Sequence, residues 1–180
     1  LKGHVRFRSD PIGDEEECRV SYADQVITMF LPYLEGTEWQ IFEGVGARLD
    51  APWCELRIQE GSLWEYVLHR GRQERDRFST WPQYWGMDWH ECRAWRGNPR
   101  LFAELWGLPC SRIDQYIVQY GSLKSRLRQL LRRRKAYAGD RYDSGDCFQI
   151  FDFLEALGGT DPTDLTSTGV RHALSLAPNK

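Results

Sequence analysis

The chain lacks a surplus of charge of either sign: 24 Lys and Arg stand against 26 Asp and Glu, a formal net charge of -2 over 180 residues. No global field therefore draws it onto nucleic acid or an anionic membrane. It also has no apolar run approaching the roughly 18 residues that a membrane helix needs. Its five cysteines, Cys18, Cys54, Cys92, Cys110 and Cys147, are scattered and contain no Cys-x-x-Cys pair. Neither a disulfide framework nor a zinc knuckle is indicated, and reduced core thiols in a cytoplasmic setting are the expectation.

Catalytic signatures are equally scarce. A deaminase-type zinc site needs His-x-Glu followed downstream by Pro-Cys-x-x-Cys. Here Glu91 directly follows His90, and Pro109-Cys110 is followed three residues on by Ile113 rather than by a second cysteine. The four histidines never pair at ligand spacing. Asp140, Asp143 and Asp146 recur every third residue, whereas calcium loops use alternating positions. There is no Gly-x-Ser-x-Gly elbow. Gly44-Val45-Gly46 runs into Ala47, Arg48 and Pro52, so it opens no phosphate-binding helix. The sequence offers no catalytic residue, metal or cofactor, and it leans away from an enzyme. A carboxylate pair meeting in space is the one arrangement that spacing does not reveal.

What is present begins with ordinary globular composition, 41% hydrophobic and 28% charged, enough for a single domain over residues 1–180. Residues 1–24 are polar, broken by Pro11 and Gly13, and carry the acidic run Asp14–Glu17. They read as a loosely held arm. Val26–Leu31 reads as a strand buried on both faces, and Trp39–Phe42 as a second, short one. Trp53–Gln59, Ser62–His69 and Gln73–Ser79 then form three extended runs with glycine at each break, the pattern of an antiparallel meander. In the middle run Trp64, Tyr66 and Leu68 share one face, which should point at the core.

The period changes after residue 97. Asn98 and Pro99 fit an N-cap and first helical position ahead of the stripe Leu101, Phe102, Leu105 and Trp106, which Gly107 ends. Ser111 with Asp114 suggests a second short helix carrying Ile113, Tyr116 and Ile117. Leu123, Leu127, Leu130 and Leu131 form one apolar stripe on a basic helix over 123–135. Asp146 with Gln149 opens a last, nearly all-apolar helix whose Phe151 and Leu154 should be buried, and Gly158-Gly159 stops it. The tail 160–180 reads as partly mobile. Strands followed by helices give an α+β fold: a mostly antiparallel meander sheet with strands within 26–79, and C-terminal helices within 98–158 packed on one face.

Three features could carry function. Trp81, Tyr84, Trp85, Trp89 and Trp95 fall within fifteen residues, in a segment that Pro82 and Gly86 mark as a surface loop between sheet and helices. So many tryptophans must either close the core or be presented to a partner. Lys124–Lys135 holds seven Lys or Arg and no acid, with Arg132, Arg133 and Arg134 as candidate contacts for phosphate or carboxylate. Finally, Ala103, Gly107 and Ile113 stand at a spacing similar to that of a helix-turn-helix over 101–117.

The expectation is a non-enzymatic protein that binds a macromolecular partner, of inhibitor or immunity type. The partner should be a protein, with Trp81, Tyr84, Trp85 and Trp89 as anchors and no membrane involved. Two alternatives are a small-molecule site or enzyme at the aromatic sheet–helix seam, and a nucleic-acid regulator using 101–117 and the basic helix.

Overall fold

The computed structural model describes residues 3–8, 19–23, 26–31, 51–131 and 134–159. Among the described residues there are six strands, β1 (Gly3–Arg8), β2 (Arg19–Ala23), β3 (Val26–Leu31), β4 (Pro52–Gln59), β5 (Leu63–Arg70) and β6 (Gln73–Ser79). Four α-helices follow: α1 (Trp89–Ala94), α2 (Pro99–Trp106), α3 (Leu123–Leu130) and α4 (Gln149–Ala156). Two 3₁₀ turns, Pro82–Trp85 and Cys110–Arg112, lie among them. The fold is α+β. The expected strand Trp39–Phe42, the tail from Thr160, and Arg132 and Arg133 lie outside the described residues.

The strands form one sheet in the order β2-β3-β1-β4-β5-β6. The meander β4-β5-β6 pairs antiparallel throughout, and β2 pairs antiparallel with β3. Strand β1 sits between β3 and β4 and runs parallel to both. Strands β1 and β2 fall inside the segment that the sequence presents as a loose arm. The local signal is the alternation of Val5 and Phe7 with His4, Arg6 and Arg8, a period of two that the polarity of the surrounding residues masks.

The β4–β5 turn shows why the meander is legible. Glu60 and Gly61 take φ of 48° and 62°, and the Ser62 N–H donates to the Gln59 carbonyl at 2.9 Å. Two successive positive φ values are the twist that a tight hairpin requires, and glycine supplies one of them without strain. Register then places Leu56 opposite Tyr66, and Tyr66 opposite Phe78. Cys54, Leu56, Trp64, Tyr66, Leu68 and Phe78 therefore line one face and are buried.

Helices cover that face. Phe153 of α4 meets Trp64 and Tyr66 with ring centroids 5.3 and 5.9 Å apart, and Phe102 of α2 meets Tyr66 edge-on at 5.0 Å. Trp106 closes the far side, its indole N–H donating to the Leu157 carbonyl at 3.1 Å. Helix α2 begins as its sequence indicates, with Asn98 Oδ1 accepting the Leu101 N–H and Gly107 in the left-handed region. In the last helix Leu154 is fully buried, whereas Phe151 is only partly so and Phe148 is exposed. Its ring in the core is Phe153.

The short α-helix expected to carry Ile113, Tyr116 and Ile117 does not form. Residues 110–112 make a 3₁₀ turn, and Ile113, Tyr116 and Ile117 reach the core from the turns that follow. Asp114 does not cap: its carboxylate accepts the Tyr137 hydroxyl and the Gln115 amide, each at 3.0 Å. The helix-turn-helix spacing over 101–117 thus lacks the reading helix that would enter a groove.

Candidate protein-docking surface

The segment after β6 is more ordered than its turn residues suggest. Thr80 pins its start, donating to and accepting from the Trp64 backbone. Pro82 opens a 3₁₀ turn that Gly86 closes in the left-handed region. Asp88 and Glu91 then form a reciprocal capping box, with Asp88 Oδ1 accepting from the His90 and Glu91 N–H groups and Glu91 accepting from the Asp88 N–H. The Asp-x-x-Glu spacing encodes that helix start, and it was the signal available against reading the whole stretch as a loop.

These elements present the aromatic side chains to solvent. Trp81 is 41% exposed, Tyr84 37%, Trp85 45% and Trp89 62%. Trp81 and Tyr84 tilt against each other at 5.4 Å, and Tyr84 meets Trp85 edge-on at 5.2 Å. Tyr120, which the sequence does not single out, extends the row at 6.2 Å from Trp81. The rings touch one another, so they form a self-supported ridge rather than a cage open for a ligand. Tyr84 donates its hydroxyl to Glu60 on the β4–β5 turn, and that bonded carboxylate raises the phenol above its ordinary range. Trp89 stands apart, packed on His90 and under the Arg93 guanidinium. Trp95 is half-buried beneath Arg77, and its carbonyl ties Ser79 and Gln119 to the base of the segment.

The basic segment is arranged against simple expectation. Leu123, Leu127, Leu130 and Leu131 are all exposed, from 48% at Leu127 to 78% at Leu130, while Arg128 is buried. Its Nη2 donates to the Gln115 carbonyl and to Gln115 Oε1, both at 2.6 Å, and its Nη1 donates to Ser144 Oγ at 3.2 Å. A guanidinium satisfied by such bonds tolerates burial. Ser122 caps α3 through the Ser125 N–H, and Lys124 Nζ donates to the Asp114 carbonyl at 2.6 Å. Arg134 is exposed.

Two groups of carboxylates lie elsewhere. On the sheet face opposite the helices, Arg57 bonds Glu55 at 2.8 Å and reaches Glu65 at 3.7 Å, while Gln59 donates to Glu65 at 3.1 Å. Burial first, then Glu55, raises the Glu65 carboxyl, opposed by Gln59 and Arg57. The second group lines an open pocket of about 400 Å³ bounded by Tyr116, Tyr137, Asp140, Asp152 and Glu155. Asp140 accepts from the Tyr116 hydroxyl at 2.7 Å and the Tyr137 N–H at 2.8 Å. Asp152 accepts the Arg141 and Tyr142 N–H groups, and Glu155 pairs with Arg141. Asp152 and Glu155 fasten Arg141 and Tyr142 to α4, Asp140 ties its turn to Tyr116, and none of the four aromatic anchors lines the pocket. Among the described residues no three or more His, Cys, Asp or Glu side chains converge to hold a metal, and no helix is long and apolar enough to cross a membrane.

Comparison with family models, with curated proteins and with solved structures finds no match to this chain.

Proposed function

We propose that this protein is a binding module that engages a protein partner through the aromatic ridge of Trp81, Tyr84 and Trp85 together with Trp89. The supporting observation is the simultaneous exposure of all four side chains on elements fixed by a 3₁₀ turn, a capping box and the Thr80–Trp64 bonds. Large amphipathic rings held in place lose little side-chain entropy on binding, which is why tryptophan and tyrosine dominate interface hot spots. The carboxylates of Glu60, Asp88 and Glu91 border the ridge. They oppose nucleic-acid phosphate and an anionic bilayer, and they suit a partner with its own basic groups.

The test is affinity capture from cell extract with the wild-type chain and with Trp85→Ala/Trp89→Ala, followed by reconstitution from purified components. The expected result is a nuclease-resistant protein complex that the double variant loses while keeping its melting temperature, because both side chains are exposed. A complex that survives the substitutions or dissolves with nuclease would overturn the reading, as would a large fall in melting temperature.

A further inference from the structure

Helix α3 carries a second surface, distinct from the ridge. Leucines at 123, 127 and 130 recur at intervals of four and three, the d-a-d spacing of a coiled-coil seam. In that register Lys124 and Leu131 take e positions and Arg126 takes g, so a cation stands on each side of the leucine stripe. Arg128 falls at b and Ser125 at f, the side turned toward the rest of the protein. The seam therefore faces outward because Arg128 is held inward by Gln115 and Ser144.

Leu123, Leu127 and Leu130, with Leu131 beside them, are exposed together as one apolar patch, the kind of surface that marks a docking site. The flanks say what kind of surface covers them. Lys124, Arg126, Arg134 and Lys135 are exposed, and no acid occurs from 124 to 135.

We infer that the leucine seam of α3 packs against an acidic amphipathic helix supplied by a protein partner. That helix would have apolar residues at its own a and d positions, and Glu or Asp at e and g facing Arg126 and Lys124. Apolar seam contacts supply the affinity, and complementary e and g charges set the choice of partner. Charge complementarity favours this occupant over a second copy of the chain, since two α3 helices would oppose cation to cation. A bilayer fits less well, because a two-turn seam offers little apolar area for insertion. The inference shares with the reading above only that the partner is a protein.

The chain of residues 1–180 is titrated with a synthetic acidic helix of about three heptads, with Leu at a and d and Glu at e and g. A scrambled peptide of the same composition and a peptide with Lys at e and g serve as comparisons. The acidic seam peptide should bind saturably, and neither comparison should. Leu127→Ser/Leu130→Ser should weaken binding about ten-fold or more with unchanged melting, since both side chains are exposed. Lys124→Glu/Arg126→Glu should move the preference to the Lys peptide.

Equal binding of the scrambled peptide, or indifference to the leucine substitutions, overturns the inference. So does leucine-dependent binding to phosphatidylglycerol vesicles or single-stranded oligonucleotide in place of the peptide, or a leucine-dependent homodimer in sedimentation. The same titration on Trp85→Ala/Trp89→Ala keeps the two surfaces apart. Unchanged peptide binding there supports α3 whatever becomes of the ridge, and its loss would put the peptide on the ridge and overturn the assignment.

Discussion

At the scale of single residues, Arg128 and Gly97 show how one side chain, or its absence, orients its surroundings. Arg128 is the third cation of the basic run Lys124–Lys135, yet among the described cations of that run it is the buried one. A guanidinium that donates to a backbone carbonyl, a side-chain amide and a hydroxyl is costly to remove, because those acceptors would be left buried and unpaired. Gly97 matters through what it lacks. Its φ is 70°, and a Cβ there would stand 2.7 Å from Ile117 Cγ2 and 2.8 Å from the Tyr66 hydroxyl oxygen. Left-handed strain adds to overpacking of the core at the same point, so Gly97→Ala should cost at least about 2 kcal/mol in urea unfolding. An unchanged midpoint would contradict the close approach of this loop to Tyr66.

At the scale of elements, the last helix divides its aromatic side chains unequally. Phe153 touches Trp64, Tyr66, Phe102 and Tyr116 in the core, whereas Phe151 is half-buried and packs beside Tyr142 and Phe148. Phe153→Ala should then destabilise by about 3–5 kcal/mol, the combined transfer and cavity cost. Phe151→Ala should cost distinctly less in the same thermal or denaturant series. Reversal of that order would mean that α4 presents its other face to the sheet. The helix was legible from its apolar run, but a run apolar on nearly every side has no period from which to read its inward face. The basic helix had the opposite problem. Its leucine stripe was plain, but the direction of the stripe was not, and the structure turns the leucines outward and Arg128 inward. The aromatic segment was recognisable as a candidate surface. The capping box that makes part of it helical was present in Asp88 and Glu91 and was obscured by the turn signals of Pro82 and Gly86.

At the scale of the whole molecule, the sheet has two unlike faces, and the one away from the helices carries His69 and Glu65 among buried apolar side chains. Trp53 and His69 stack at 3.9 Å with planes 6° apart. Burial first, assisted by Arg57 and Arg77 and opposed by Glu55 and Glu74, lowers the His69 imidazole below its ordinary 6.5. The folded chain therefore holds His69 neutral while the unfolded chain takes up a proton. Its contribution is fully present above about pH 6.5 and is lost as pH falls through 6.5 toward the lower folded value. His69→Phe retains the stack on Trp53 and cannot titrate, so melting temperature should vary less between about pH 7 and pH 5.5 than in the wild type. Identical slopes would refute the assignment. Glu65 acts in the opposite sense. Its raised carboxyl favours the fold when protonated, so stability from that group is present below 4.5 and lost as pH rises through its folded value.

The sequence by itself determined the α+β class, the meander with its core face of Trp64, Tyr66 and Leu68, the Asn98 helix start and the concentration of tryptophan after the last strand. Each of these follows from local chemistry: a period of two or 3.6, a glycine at a turn, an oxygen at a helix start. Only the tertiary structure decided that β1 threads between β3 and β4, that Glu55 and Glu65 share Arg57, and that the ridge and the leucines of α3 face water. Periodicity says which side chains share a face. Whether that face meets the protein or the solvent depends on partners distant in sequence, as Gln115 and Ser144 do for Arg128 and Thr80 and Trp64 do for the ridge.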